Sequence, residues 1–525
     1  MTASDTTTGR RPVRFVDTSL RDGNQSLWGA TGLTTGMVEA LGTDLAQVGF
    51  AALDFTSSTN LLMGAKTHRE DPWERISRMR AAAGDTALSA ITTGMRFMSW
   101  ERASETVMRL ALRLMARHGL DRLQIADPMN DSAAVRMVAR WAKEEGFATV
   151  VAATTFTESP VHTDASYVEA AREFAGDASI DAVYLKDPGG LLTRDRVAQL
   201  VPALRAAVVG KPLELHGHCT TGEAPQNYIL AAELGVDALH TGIGPLSNGT
   251  AQPGLLSVAD NLEAAGIPHV LDRDALARAT AIIERIASSQ GLPAGPVMPY
   301  DLAPHAHQVP GGMMGTLKRQ LAELRMEDAL PAVIAESGRV RAELGYPIMV
   351  TPFSQFVGSQ ALMNVLAVKS GQERYSRIPD EVVRFVLGHF GTPAGDIDPG
   401  VVERVQALPR AKELHFEPAH NAPLEQIRTE QSRTAGRELS DEDLLLRLVM
   451  APDVLAAVHA TGPAPTWAAD PAPRVESLAD FIRAAHALPR WTSMHVRRGT
   501  QEIRLDRRTD RPTTEQVGGQ KVSTT

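Results

Sequence analysis

Over the first half of the chain, short apolar runs alternate with longer segments whose apolar residues recur at helical spacing. Strand-like runs are read at Val13–Asp17, Phe50–Phe55, Ala87–Ile91, Arg122–Ala126, Thr149–Thr154, Ile180–Leu185, Leu213–His216 and Val236–His240. Between them, Thr106–Arg117, Ala133–Glu145, Tyr167–Phe174 and Gln226–Leu234 carry the pattern of amphipathic helices. Strands and helices in this alternation predict an α/β fold, a (β/α)8 TIM barrel. A doubly wound open sheet competes, because alternation alone does not separate closed from open. Polar clusters at the C-terminal ends of several strands favour the barrel, where those ends meet on one face.

Beyond residue 270 the pattern changes. Asp272–Gln290 reads as a long helix, followed by a Pro- and Gly-rich passage, Gly291–Gly315. Leu317–Leu324, Leu330–Leu344, Phe353–Lys369 and Asp380–Phe390 then read as helices of a second, mostly α-helical C-terminal domain. Asp441–Val454 is a further helix, and Thr461–Arg474 reads as a Pro/Ala linker. Trp491–Leu505 alternates around Arg498-Gly499 as a small hairpin would. The expected organisation is a disordered leader over 1–12, a barrel over 13–300 and a helical domain over 301–460, packed on the barrel mouth. A linker, a small helix or hairpin and a disordered tail fill 461–525.

Composition narrows the class. The chain has 525 residues, 43% of them hydrophobic, and a net charge of −9. That balance excludes a nucleic-acid surface as the main function. The basic residues from Arg497 to Arg511 are interleaved with acids and read as a solvated face. The single cysteine, Cys219, allows no internal disulfide and fits a reducing compartment, and no apolar run has spanning length. The first residues lack the apolar stretch of a signal peptide, so the expected location is cytoplasmic.

The candidate chemistry sits at strand ends. The first strand runs into Asp17-Thr18-Ser19-Leu20-Arg21-Asp22-Gly23-Asn24-Gln25-Ser26, a polar cluster costly to bury unless it binds something. The sixth ends at Lys186-Asp187 and the seventh at His216-Gly217-His218. His216 and His218 are two apart, so their rings share one side and offer half of a divalent-metal shell. The plainer alternative is a pair of polar loop residues. Asp22 can supply a hard oxygen, though a loop Asp is more often a turn or cap residue. Lys186 can extend to solvent; held inside a barrel mouth its pKa falls, and the neutral amine can take up carbon dioxide as a carbamate. Cys219 points away from the His face and is read as structural. Arg21 and Gln25 suit a bidentate carboxylate or an enolate, with a salt bridge from Arg21 to Asp17 as the structural alternative.

The segment Thr18–Ser26 resembles the signature of biotin-dependent carboxyltransferases, the group of pyruvate carboxylase, the oxaloacetate decarboxylase α subunit and the transcarboxylase subunit. Further matches follow in order at Glu70–Arg75, Asp127–Asp131, Ser159–Thr163, Leu185–Thr193, His216–Gly222, Gly249–Pro253, Val309–Met313 and Val350–Gly358. The resemblance runs from about residue 13 to 455. It implies a barrel with a helical C-terminal domain and a divalent metal, Zn, Mn or Co, held by Asp22, carbamylated Lys186, His216 and His218. It implies Arg21 and Gln25 as the groups orienting a small 2-oxo acid of the pyruvate or oxaloacetate type, with Thr250 beside the substrate. The implied activity moves a carboxyl group between biotin and that acid through a stabilised enolate.

Three departures from the family pattern qualify the expectation. Thr92 stands where the family has a substrate-binding Arg, and Arg96 is the candidate replacement. Gly315 stands where the family has a proton-shuttling hydroxyl, and Thr316, one step along, is the candidate. No Ala-Met-Lys-Met sequence occurs, so biotin is expected on a separate carrier protein, with a biotin carboxylase subunit as a further partner and a homodimer as the assembly. The alternatives are a metal-dependent acyl-CoA aldol-type lyase or synthase on a related barrel, and a non-catalytic assembly subunit.

Overall fold

Eight parallel strands close on themselves in chain order: β1 (Arg14–Asp17), β2 (Ala52–Ser57), β3 (Leu88–Thr92), β4 (Arg122–Ile125), β5 (Thr149–Thr155), β6 (Ala182–Asp187), β7 (Leu213–Gly217) and β8 (Ala238–Thr241). The seam is explicit in this computed structural model. Arg14, Phe15, Val16 and Asp17 of β1 pair with Ala238, Leu239, His240 and Thr241 of β8, which excludes the open sheet. The structure describes residues 11–98, 102–415 and 421–467, and the backbone of 493–498, 501–506, 514–517 and 520–523. The expected leader lies almost wholly outside the described residues.

The helices between strands start where the sequence offers an oxygen to their free N–H groups. Thr34, Ser104, Thr163 and Thr193 each accept a backbone hydrogen bond at a helix start. Each such cap contributes about 1 kcal/mol. The inward helix faces and outward strand faces bury Phe15, Leu53, Phe55, Leu123, Val150 and Leu215 in one large core. Inside the barrel the apolar part is small: Ala126, Val151, Ala153, Ala182 and Tyr184. The other buried strand side chains include Asp54, Arg122, Gln124, Glu214, His216 and His240. Most barrels fill this space with branched apolar residues; here buried charge is paired across the strands instead.

A strap leads from the barrel to the helical region. Trp28 Nε1 donates to Pro293 O at 2.8 Å, Gly249 N to Pro296 O at 2.8 Å and Asp301 N to Thr221 O at 3.0 Å. The prolines cannot continue the helix that ends at Gln290. The next long helix starts at Gly311, not at Leu317, because burial of Met313, Leu317 and Leu321 outweighs the glycine penalty. Val309 to Ala411 form their own core around Phe353, Phe356, Phe385 and Phe390.

Helices Leu424–Ala435, Asp441–Val449 and Pro452–Thr461 pack against the barrel core, not the helical one. The expected helix Asp441–Val454 is two helices, since Pro452 opens a new one at its first position. The expected linker is docked as far as Trp467. Ala464 N donates to Glu74, and Arg78 Nη1 donates to Ala464 O at 2.6 Å. Among the described residues no helix is long and apolar enough to cross a membrane.

Residues 468–525 form a separate unit. Its described strands, β9 (Ser493–Arg498), β10 (Gln501–Asp506), β11 (Thr514–Val517) and β12 (Gln520–Ser523), make one antiparallel sheet in the order β12-β11-β10-β9. The first pair is the expected hairpin. The second occupies the tail expected to be disordered; Gly518-Gly519 between two alternating runs is a hairpin signal that composition hid.

Candidate active site

The chain leaves β1 through one turn of π-helix, Ser19–Gly23, closed by Gly23 N donating to Thr18 O at 2.9 Å. Such turns are rare and recur at functional sites. Arg21 and Asp22 lie on it, both buried. Arg21 is held by a residue of β2: its Nε and Nη2 donate to Asp54 Oδ2 at 2.8 and 2.5 Å, while Nη1 lies 3.2 Å from Asp22. The structural alternative of a bridge to Asp17 is therefore wrong. Asp17 instead accepts from Ser19 N and Oγ, at 3.2 and 2.7 Å. Sequence reasoning misses Asp54, although an acid inside the apolar run Leu53-Asp54-Phe55 is a readable signal.

Asp22, His216 and His218 converge. Asp22 Oδ2 lies 3.0 Å from His216 Nε2 and 3.3 Å from His218 Nε2, and the two Nε2 atoms are 3.3 Å apart. This is the group among the described residues able to hold a metal ion through three donors. Lys186 Nζ joins it at 3.2 Å from His216 Nε2. β6 runs on through Asp187 and β7 through Gly217, so Lys186 and His216 sit on the strands themselves and are buried.

The electrostatics suit a cation. Burial alone would raise Asp22, but the Arg21 guanidinium and the two histidines override it and hold the carboxyl well below the usual range. Burial, aided by the neighbouring Lys186, pushes His216 well below its ordinary value, so the imidazole is neutral. Burial lowers Lys186 to about 8, against the pull of Asp22. His218 Nδ1 donates to Thr250 O at 2.6 Å, which turns its Nε2 lone pair towards the group. A carboxylate, two imidazole rings and a lysine whose charged form burial disfavours fit a divalent transition ion.

Gln252 stands out in the sequence only as part of a motif, yet its Nε2 lies 3.1, 3.2 and 3.0 Å from Asp22 Oδ2, His216 Nε2 and His218 Nε2. Its Oε1 accepts from Thr18 Oγ1 at 2.8 Å. Cys219 stays out of the donor set; burial lifts its thiol to about 12.

Above the donors opens a cavity of about 960 Å³, within the range of small-molecule sites. Arg21, Asp22, Gln25, Lys186, His218 and Thr250 line its barrel side. Pro310, Met313, Thr316, Gln320, Thr351 and Gln355 line the side built by the helical region. Met313, Thr316 and Gln320 lie three and four apart, so one helix face looks into the cavity. Gly315 is off that face. The Thr250 hydroxyl donates to Ser26 O at 3.0 Å.

Arg96 does not reach the cavity, contrary to expectation. Its Nη1 donates to Thr93 O at 3.0 Å and its Nη2 to Phe390 O at 3.1 Å, with the guanidinium over the Phe390 ring. The loop turns the side chain towards the helical region. Thr92 is buried, its hydroxyl 3.0 Å from Gly94 O and 3.3 Å from Arg96 O.

Fold and site together define a class: a (β/α)8 enzyme with a metal-type donor set at the strand ends and a helical region over the mouth. Residues 12–283 match the family model described as HMGL-like, and residues 305–464 match the conserved carboxylase domain. The chain is 32% identical to the B subunit of pyruvate carboxylase from Methanocaldococcus jannaschii over 75% of its own length and 68% of that protein. It is 29% identical to the methylmalonyl-CoA carboxyltransferase 5S subunit of Propionibacterium freudenreichii, covering 83% of this chain and 85% of that one. It is 28% identical to the 2-oxoglutarate carboxylase large subunit of Hydrogenobacter thermophilus, covering 83% and 67%. The fold matches the carboxyl transferase domain of Rhizobium etli pyruvate carboxylase with a TM-score of 0.77, at 23% identity over 98% of this chain and 89% of that one. The chain belongs to the biotin-dependent carboxyltransferase family and is an enzyme.

Proposed function

We propose that the enzyme moves a carboxyl group between biotin, carried on a separate biotin carboxyl carrier protein, and a small 2-oxo acid. The observation that carries this reading is one cavity shared by Arg21, Asp22, Gln25, Lys186 and His218 with Thr316 from the facing helix. Asp22, His216 and His218, with Lys186 as its carbamate, would hold the divalent ion. When bound, that ion supplies Lewis-acid stabilisation of the charge developing on the enolate oxygen. Arg21, braced by Asp54, and Gln25 orient the oxo acid. Thr316 Oγ1 passes a proton between the biotin ring nitrogen and the carbon that gains or loses the carboxyl group.

The resemblance also supports a biotin carboxylase subunit as a further partner, a homodimer and a cytoplasmic setting. At the end of β3 the cavity is lined by Ile91 and Thr93, which bring no cation to the substrate carboxylate, so the reading includes weaker binding of the oxo acid than an arginine there would give.

The test is transfer of labelled carboxyl from a carboxybiotinylated carrier protein to a panel of pyruvate, 2-oxobutyrate and 2-oxoglutarate, and the reverse from oxaloacetate. Carrier-dependent transfer with at least one acid is expected. No transfer to or from any of them overturns the reading.

A further inference from the structure

Below the donor set, a row of buried polar side chains crosses the barrel interior. Arg122 Nη2, on β4, donates to Glu214 Oε2 on β7 at 2.6 Å. The same carboxylate oxygen lies 2.9 Å from His240 Nε2, on β8. His240 Nδ1 in turn lies 3.1 Å from His216 Nδ1. Glu214, His216 and His240 are each at most 4% exposed, so water does not compete. The Tyr184 ring stacks on His240 at 5.5 Å and 12°, fixing its plane.

The proton positions follow from this order. A carboxylate braced by a guanidinium only accepts, so His240 must present Nε2–H to Glu214. A neutral His240 then has a bare Nδ1, which accepts from His216 only if His216 carries its proton on Nδ1. That leaves the His216 Nε2 lone pair facing Asp22, His218 and Lys186. The opposite tautomer of His216 would put a proton where a ligand bond must form. His218 reaches the same state by another device, a backbone carbonyl.

We infer that His240 and Glu214 are positioning residues, which set the tautomer and ring plane of His216 and so make it a competent metal donor. The inference rests on the proposed metal site. It concerns residues that touch neither substrate nor cation. Partners of this kind commonly change metal affinity by about 10- to 100-fold when removed.

The test has two readouts that need no turnover. In metal-free wild-type protein, 15N NMR should show His216 protonated at Nδ1 and His240 at Nε2. His240→Leu should scramble the His216 tautomer and weaken Co²⁺ binding by about 10- to 100-fold, whereas His240→Asn, whose amide oxygen can stand in for Nδ1, should hold affinity within about threefold of wild type. Circular dichroism and thermal unfolding establish that each variant is folded. If the leucine variant does not fold, the wild-type tautomers and the asparagine variant decide. His216 protonated at Nε2 in the wild type overturns the inference. So does a leucine variant that binds Co²⁺ like wild type, or an asparagine variant that binds as poorly as leucine. A wild-type chain that takes up no Co²⁺ strikes the proposed metal site, and the tautomer spectrum then judges the relay by itself.

Discussion

At the scale of single residues, the site buries Asp22, Lys186, His216 and His218 against one another with their donor atoms converging. Protein purified without chelator should therefore carry close to one equivalent of a divalent transition metal, and His216→Ala should reduce it to about a tenth or less, since neighbouring groups cannot replace a ligating imidazole. Metal analysis by mass spectrometry checks this; a full equivalent in the variant would remove His216 from the donor set. Asp17 gives a second prediction. Burial, against the Ser19 hydrogen bonds, raises its carboxyl to about 7, and its Oδ2 has no partner among the described residues. A folded pKa above the unfolded one means stability that is full below about pH 4 and lost as pH rises through 7. Asp17→Asn should be close to neutral below about pH 4, increasingly stabilising up to pH 7, and stabilising by about 2–4 kcal/mol at pH 9. Equal denaturation midpoints for the two proteins at pH 9 would contradict this. Asp22, Lys186, His216 and His218 are legible because each stands at a strand end or in the turn just after one, where polar residues are conspicuous. Gln252, His240 and Glu214 are not, because their value lies in contacts across the barrel that spacing does not encode, whereas Asp54 leaves a trace as an acid inside an apolar run. Arg96 falls outside the cavity lining for the same reason: its place in the chain puts it in the right loop but does not set the direction of its side chain.

At the scale of elements, the helix Gly311–Glu323 decides which hydroxyl faces the chemistry. One residue along a helix is a rotation of about 100°, and Thr316, not position 315, looks into the cavity. Thr316→Ala should lower kcat by about 10² to 10⁴, as loss of a general acid–base group does, with KM for the oxo acid nearly unchanged. Gly315→Ala is the control. A Cβ there meets nothing within 4 Å, and it replaces a poor helix former with the best one. Steady-state kinetics of both variants with a biotinylated carrier decide the matter; a silent Thr316→Ala would take the proton shuttle away from this helix. All eight strands are readable because short runs of mainly apolar residues recur between helical segments, even where Arg122, Gln124 or Glu214 interrupts them, and Phe353–Lys369 because its apolar pattern is long. The start at Gly311 is hidden by local propensity, which argues for a loop and loses to the burial of Met313 and Leu317. The break at Pro452 is there to be read, since proline opens helices and does not sit inside them.

At the scale of the whole molecule, the cavity exists only because barrel and helical region stay together, and a few buried polar ties hold them. Arg341 donates to Glu158 O at 3.0 Å and to Thr157 Oγ1 at 2.9 Å, reaching from the helical region to the loop after β5. Thr157 Oγ1 donates its own proton to Gln308 at 2.9 Å, and His305 meets Glu158 at 2.9 Å. From the other side, Arg96 carries the loop after β3 to Phe390. The bonds from the two guanidinium groups are charge-assisted and lie in buried surroundings, each contributing about 1.5–3 kcal/mol. Arg341→Ala and Arg96→Ala should therefore expose the strap between Gln290 and Gly311 to limited proteolysis, where the wild-type strap resists. For Arg96 the outcome separates two roles. As a tie between regions, its loss should speed cleavage and lower thermal stability while KM for the oxo acid changes by less than about threefold; as a carboxylate ligand, its loss would raise KM by about tenfold or more at unchanged stability. The side chain's course towards Phe390 commits it to the first outcome, and a tenfold rise in KM with an intact strap would show that the loop after β3 rearranges when substrate binds.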